Sequence, residues 1–562
     1  MTGTDERAWW KEAVVYQVYP QSFADADGDG VGDIDGIRDH LDHLDDLGVD
    51  VVWCNPLYAS PHVDDGYDIA DYRAIREEYG TMADFEALLT DLHDRGIRLV
   101  MDLVVNHTSD QHEWFQRSRD PRSEYHDYYH WVDGDPDEPP SNWTSGFGGS
   151  AWTYDEAVGK WYLHLFDETQ PDLNWENPAV RDEVFDMMTW WLEKGIDGFR
   201  MDVVNLISKP AGYPDGDPEA GWVGVEQFAE GPAVHEYLSE MDERVLSNYD
   251  VLTIGETIDV DVAEADRYAA DGLDTVFHFD HVTLDFDEEA GWWAVRDWTL
   301  PELKRIWDRW QTEPERAWPS VYLGNHDWPR VVSRWGDEAF RYESATALAT
   351  LVLASRGIPF VYQGDEIGMT NYPFDSVDEL RDADATNRIE DALESGEIAS
   401  FDEIQDLVRY RSRDNARTPM QWDDSPSAGF TDSDVEPWIG VNPNYHEVNV
   451  AADRARERSV FRYVRRLIDL RHERDALVYG EYTDLRPDHG SAWLFRRDGT
   501  DASLGVALNL SVEPVEMDAS DGFDGAKTLL CNYADRPDSG WVGGDGRLDL
   551  RPYEARLLEL ER

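Results

Sequence analysis

Two cysteines stand in 562 residues, Cys54 and Cys531. A pair that sparse and that far apart excludes a disulfide-built scaffold. Both sit in apolar, strand-like runs, so both are expected to be buried thiols. No group of Cys and His has metal-ligand spacing, which argues against a catalytic transition-metal centre. No run of about 18 apolar residues occurs. Residues 1–17 (MTGTDERAWWKEAVVYQ) contain neither a basic segment leading into an apolar core nor a twin arginine. A membrane span and a secretory leader are therefore not expected, and the cytoplasm is the expected location. Basic residues are scarce as well: 49 Lys and Arg face 119 Asp and Glu, a net charge of −70. A nucleic-acid partner would demand the opposite sign.

What the chain does have is a core. It is 41% hydrophobic, with 24 Trp and 26 Tyr, so it can bury enough apolar surface to exclude wholesale disorder. The acidic residues are spread along the whole chain rather than gathered in a tail. That combination describes a folded protein with a strongly solvated acidic surface, as in proteins from salt-saturated, halophile-like cytoplasm. Salt would screen its self-repulsion, and the fold is expected to weaken at low ionic strength.

Eight short apolar runs, at 13–20, 49–56, 97–107, 195–204, 251–257, 273–281, 318–327 and 357–368, alternate with helical segments. The stretch 34–47 keeps apolar residues at helical spacing and reads as one amphipathic helix; 85–93 and 184–192 read similarly. Continuous apolar strands alternating with helices imply a parallel sheet covered on both faces. Eight such units predict an α/β fold, a (β/α)8 TIM barrel, with a doubly wound open sheet as the alternative. Residues 1–107 and 174–478 are assigned to the barrel. Residues 108–173 lack a strong helical period, are too long for an ordinary loop, and form an expected inserted subdomain after strand three. A charged insertion at about 371–437 follows strand eight. From 479 to 562 short strands and turns predict a C-terminal antiparallel β domain.

Chemistry gathers where the apolar runs stop. Those ends read 102–107 (DLVVNH), 198–203 (GFRMDV), 253–257 (TIGET) and 325–327 (NHD). In a barrel, catalytic residues sit at the C-terminal ends of several strands. Within 198–203, Arg200 and Asp202 are two residues apart on a strand and share one face. A neighbouring Arg favours the ionised carboxylate and is expected to lower the Asp202 pKa, which suits a nucleophile. Glu256 closes an apolar strand, where desolvation would raise its pKa and suit an acid.

The loop after the first strand spaces Asp25, Asp27, Asp29 and Asp33 at alternate positions, with glycines for a sharp turn. With the Val31 carbonyl, this set suits a hard cation, Ca²⁺ or alternatively Mg²⁺. A structural ion is expected there, and no organic cofactor.

These four strand-end motifs, in this order, resemble the conserved regions of the α-amylase family of glycoside hydrolases (family 13). The stretches 148–152 (GGSAW), 170–174 (QPDLN), 364–369 (GDEIGM) and 413–422 (RDNARTPMQW), together with the acidic loop, resemble its oligo-1,6-glucosidase and α-glucosidase branch. The resemblance implies a retaining, exo-acting α-glucosidase acting on short oligosaccharides. Asp202 matches the nucleophile, Glu256 the acid/base and Asp327 the third carboxylate. Arg200 would orient Asp202, and His107 and His326 would bind hydroxyls. Asp64 and Tyr67 match the groups at the non-reducing glucose, Arg413 the arginine that pairs with Asp64 (Arg417 being a near alternative), and Phe147 and Phe166 the lining aromatics. The two catalytic carboxyls would lie about 5–5.5 Å apart. Val203, after the nucleophile, goes with α-1,6 cleavage in that branch. α-1,4-Glucosidase, transglucosylase and trehalose-phosphate hydrolase are the alternatives. Asp65 and Trp328 depart from the branch, where an apolar residue and Gln are usual. A catalytically dead transporter accessory would lack the three carboxylates. A monomer is the default expectation.

Overall fold

The computed structural model describes residues 7–287, 294–518, 523, 526–535 and 547–561. Residues 1–6 of the stretch 1–17 that was read for a leader lie outside the described residues, as does part of the region 479–562.

Eight parallel strands form the central sheet: β1 Val15–Val18, β2 Val51–Cys54, β3 Arg98–Val104, β4 Gly198–Asp202, β5 Leu252–Glu256, β6 Thr275–Phe277, β7 Ser320–Val321 and β8 Ile358–Tyr362. Their spatial order, β6-β5-β4-β3-β2-β1-β8-β7, follows the chain around a ring. Between β6 and β7 no ladder forms among the described residues. The two are joined instead by the Trp318 N–H to Asp274 O at 3.4 Å and by two hydroxyls, Thr275 Oγ1 to Trp318 O at 2.6 Å and Ser320 Oγ to Val276 O at 2.7 Å. The chain is therefore the (β/α)8 barrel that its pattern predicts. The strands are buried on both sides because helices cover the outside and Val15, Val51, Trp53, Val100, Leu252, Ile254, Phe277 and Phe360 fill the inside.

Close approach fixes one residue choice. A Cβ on Gly198 would lie 2.0 Å from Leu252 O on β5, so β4 can only start at glycine. The outer helices are well capped. Met82–Asp94 begins with a Thr81–Asp84 capping box. Pro178–Lys194 runs from an Asn177 cap to Gly195, which ends it at φ 107°. The expected single helix at 34–47 is two, Ile34–Asp39 and Leu41–Leu47, broken at His40. Two strands in the second half of the barrel are also shorter than expected: β6 has three residues and β7 two. Asn325, His326 and Asp327 consequently stand in a turn beyond β7, where Asn325 Oδ1 accepts the Asp327 N–H at 2.7 Å.

Between β3 and Pro178 the chain forms a three-stranded antiparallel sheet, Trp131–Val132, Lys160–Leu163 and Trp152–Asp155. It is tied to the barrel by bridges His107 to Asp172 and Tyr129 to Leu173. A buried ion pair reinforces the join: Lys209, on the loop after β4, lies 2.6 Å from Asp172 and donates to Asn106 Oδ1 at 2.7 Å. Past the barrel, β9 Glu481–Asp484, β10 Ala492–Asp498, β11 Ser503–Asn509, β12 Lys527–Cys531 and β13 Ala555–Glu559 form an antiparallel sheet in the order β9-β10-β11-β13-β12. Cys54 is buried as expected, but Cys531 is only half-buried, because β12 is an edge strand of this sheet. Among the described residues, no helix is long and apolar enough to cross a membrane.

Candidate active site

The C-terminal ends of the barrel strands converge on one guanidinium. Arg200 on β4 is fully buried. Its Nη1 donates to Asp202 Oδ1 at 2.7 Å and to Asp102 Oδ1 at 2.8 Å. Its Nη2 lies 2.6 Å from Glu256 Oε1. The second Glu256 oxygen accepts the Val203 N–H at 3.1 Å. Asp202 and Glu256 are the last residues of adjacent strands, so strand pairing alone brings them side by side.

Three carboxylates share one cation here, so Arg200 pulls Asp202 in the expected direction but is outweighed. The Asp202 carboxyl lies well above the ordinary carboxylate range, pushed there first by burial and then by Glu256 and Asp102, with Arg200 opposing. Asp102 is likewise raised by burial, to about 6. One shared guanidinium does not offset what burial and two carboxylate neighbours do to Asp202.

From this cluster a closed circuit of contacts runs through every sugar-site residue expected from the sequence. Asp102 Oδ2 accepts the Tyr67 hydroxyl at 3.1 Å. Tyr67 Oη is 2.8 Å from His326 Nε2, and the two rings stack at 5.4 Å and 9°. His326 Nε2 lies 3.2 Å from Asp327. Asp327 Oδ1 accepts from Arg413 Nη1 at 3.2 Å and Arg417 Nη2 at 3.1 Å. Arg413 Nη2 is 3.8 Å from Asp64, whose Oδ2 accepts from Gln170 Nε2 at 3.0 Å. Gln170 Nε2 sits 3.2 Å from His107 Nε2. The His107 ring meets Phe166 at 5.2 Å, Phe166 meets Phe147 at 5.6 Å, and the Phe147 ring lies 5.3 Å from the Arg413 guanidinium. The inserted subdomain thus supplies the aromatic wall, and the turn after β2 supplies Asp64.

The two histidines are held neutral: burial lowers His107 to about 4 and His326 to about 3. Asp327 behaves oppositely to Asp202. Burial works against its charge, yet the Arg413 and Arg417 guanidiniums on it hold the carboxyl well below the usual range. Asp64 is raised by burial to about 6, with Arg413 and Arg417 opposing.

One site residue escapes sequence reasoning altogether, and two others are seen there without their partners. Asp382, fully buried, takes Arg413 bidentately, with Nε at 3.1 Å from both oxygens and Nη2 at 2.5 Å from Oδ1. Asp102 was visible in its motif, but its sharing of Arg200 was not. Asp65 accepts from Arg417 Nη1. Trp328, the other departure from the branch, packs on Phe279 at 6.0 Å and Phe286 at 5.7 Å beside the site.

The acidic loop lies apart from this circuit. Carboxylate oxygens of Asp25, Asp27 and Asp29 come within 4.8 Å of one another. Asp33 is not in that group: its carboxylate accepts the N–H groups of Ala26 at 2.8 Å, Asp27 at 3.2 Å and Gly36 at 2.6 Å, capping the helix Ile34–Asp39. Val31 donates its N–H to Asp29 Oδ1 at 2.8 Å.

A carboxylate pair on one cation, a permanently charged third carboxylate and an aromatic-walled pocket at the top of a barrel are the parts of a glycosidic-bond site, and residues 17–480 match the family model for the alpha amylase catalytic domain. The chain belongs to the α-amylase family. Within it, the chain is 48% identical to the oligo-1,6-glucosidase of Parageobacillus thermoglucosidasius, over 99% of each chain. It is 43% identical to the trehalose-6-phosphate hydrolase of Bacillus subtilis, over 100% of this chain and 99% of that one. Among solved structures, the isomaltulose synthase of Erwinia rhapontici NX5 superposes with a TM-score of 0.94 at 42% identity, covering 99% of this chain and 100% of the other.

Proposed function

We propose that this chain is a retaining, exo-acting α-glucosidase that hydrolyses terminal α-linked glucose from short oligosaccharides, with α-1,6 linkages preferred. The observation that carries the reading is the single Arg200 guanidinium lying on both Asp202 and Glu256. In this reading Glu256 carries the proton that the leaving glycosidic oxygen needs. Once Glu256 delivers it, the Asp202 carboxylate bonds to the anomeric carbon as the C–O bond breaks. Glu256 then takes a proton from water, which displaces Asp202 from the same face the aglycone left. Two inversions give retention. Asp327, ionised at any working pH, accepts sugar hydroxyls and counters the positive charge that develops on the ring. Neutral His107 and His326 can donate to or accept from hydroxyls without adding a cation beside that ring.

Val203 supports the linkage preference. It is buried, and its φ of 35° and ψ of 43° place a β-branched residue in the left-handed region. That turn aims its side chain from the tip of β4 while its N–H holds Glu256. Initial rates on isomaltose and maltose test the linkage, and product analysis on sucrose and trehalose 6-phosphate tests the transglucosylase and phosphate-hydrolase alternatives. A wild type that prefers maltose would overturn the α-1,6 reading; inverted product in an NMR time course would overturn the mechanism.

The acidic loop belongs to this reading as a structural Ca²⁺ site. Asp25, Asp27 and Asp29 fit a hard cation, since three clustered carboxylates repel without one. Burial and the two neighbouring carboxylates raise Asp29. The loop also docks on residues 430–438, through the Asp25 N–H to Phe430 O at 2.9 Å and the Trp438 N–H to Gly30 O at 2.9 Å. A Cβ on Gly30 would meet Glu436 O at 2.5 Å. A chelator is expected to lower Tm and leave the carboxylate chemistry intact; an unchanged Tm would remove the ion. The halophile-like reading is tested by circular dichroism between molar and millimolar KCl, and unchanged spectra would sink it. A cytoplasmic location remains part of the proposal.

A further inference from the structure

The pocket needs a latch, and the pair expected to provide it is loose. Arg413 was to close the glucose site on Asp64. It stands 3.8 Å from Asp64, beyond hydrogen-bond reach, and is captured by Asp382. The next carboxylate on the same turn makes the contact instead. Asp65 accepts from Arg417 Nη1, while Arg417 Nη2 donates to Asp327 Oδ1 at 3.1 Å and Arg417 Nε to His326 O at 3.2 Å. Arg417 is fully buried, so this orientation is fixed by those three acceptors. The backbone of Asp65 has φ 46°, a conformation that Asp and Asn tolerate better than larger residues. The turn therefore presents two successive carboxylates toward two arginines four residues apart.

We propose that Asp65 is a positioning residue for the reaction: by anchoring Arg417 it holds that guanidinium on Asp327, latches the turn after β2 onto the segment after β8, and leaves Asp64 free to accept glucose hydroxyls. The inference rests on the reading of Asp327 as the sugar-binding carboxylate. A charge-neutral residue at position 65 could tolerate the turn but could not charge-pair with Arg417. Asp65 itself faces Arg417, Asp64, Asp382, Asp414, Tyr19 and Tyr79. Burial raises it to about 7, with Arg417 opposing and the other carboxylates adding to the rise. Below neutrality the latch loses its charge, and sugar binding is expected to weaken.

The test compares wild type, Asp65→Asn, Asp65→Ala and Arg417→Lys. The readouts are kcat and KM on isomaltose from pH 5 to 9, and Kd for 1-deoxynojirimycin by calorimetry. Asp65→Asn keeps the shape and removes the charge. It should raise KM and Kd about tenfold, the usual worth of a charge-assisted hydrogen bond. It should also flatten the rise in KM on acidification. Asp65→Ala should exceed it, and Arg417→Lys, which keeps one charge but not two prongs, should fall between. KM, Kd and pH profile all within twofold of wild type in Asp65→Asn would overturn the proposal, as would a lowered Tm with unchanged Kd. A wild type that binds the inhibitor without hydrolysing isomaltose would sink the glucosidase reading alone and leave the Kd arm deciding the latch. A wild type that does not bind it would sink both.

Discussion

The site contains two charge clusters of opposite design. Around Arg200, one cation serves three carboxylates, Asp102, Asp202 and Glu256. Around Asp327, two cations serve one catalytic carboxylate, and each has a further anchor, Asp382 for Arg413 and Asp65 for Arg417. In the first, buried carboxylates contend for one guanidinium. In the second, Asp327 is only half-buried and has two guanidiniums on it, so it stays ionised, while Asp64 and Asp65 behind it are raised by burial. A glycosidase needs one group that moves a proton and another that keeps its charge.

Mutations at the two clusters should fail in different ways. The largest loss is expected for Asp202→Ala, about 10⁴-fold in kcat, with inhibitor binding retained. Loss of binding in step with kcat would mean that Asp202 only holds the pocket together. Arg200→Gln should cost roughly 10²–10³-fold. It should also move the acid limb of the kcat/KM profile to higher pH, because removing the cation raises the carboxyls that remain; an unmoved limb would separate Arg200 from the proton. Asp327→Asn should lose activity on a similar or smaller scale, about 10²-fold, without moving either limb, since a carboxyl held well below the usual range is ionised throughout. A shift there would break the comparison. Val203→Ala lies between the clusters and should lower the isomaltose-to-maltose rate ratio by about tenfold, the scale of one side chain's shape in a subsite. The smallest effect belongs to Asp64. Its pKa of about 6 means that the charge it offers to hydroxyls appears as pH rises through that value. KM should fall over the same interval, and Asp64→Asn should remove that part of the fall and leave the part near 7 that Asp65 contributes.

The sequence makes the first cluster visible and hides much of the second. Asp202 and Glu256 end apolar strands, so periodicity alone says where they stand. Asp327 lies beyond a two-residue strand, and only its motif marks it. Asp382 carries no local signal at all. It is one carboxylate among 119 acidic residues, and only the folding of the insertion after β8 over the barrel brings it to Arg413. The same long-range packing decides which arginine meets Asp64 and which meets Asp65. The net Asp202 shift runs against the sequence expectation for a related reason: Arg200 is two residues away in sequence, whereas the burial and the opposing Glu256 and Asp102 come from the assembled barrel. The break at His40 was likewise invisible to a spacing argument, since apolar positions keep their period across it.

The junction of β6 and β7 carries a consequence for how the molecule comes apart. Elsewhere the barrel staves are laced by backbone ladders, but here three side-chain hydroxyls, Tyr322 onto His278 O among them, and one long backbone hydrogen bond do the lacing. Amide hydrogens beside this join should exchange with deuterium earlier than those of β3 to β5. Under heat or denaturant the cylinder would then part along one predetermined line and unroll from it. The Arg200 cluster lies on β3, β4 and β5, three staves or fewer from that line. The third carboxylate, just past β7, sits on the other side of it. An early opening would separate Asp202 and Glu256 from Asp327, so catalysis would be lost while most of the barrel was still folded.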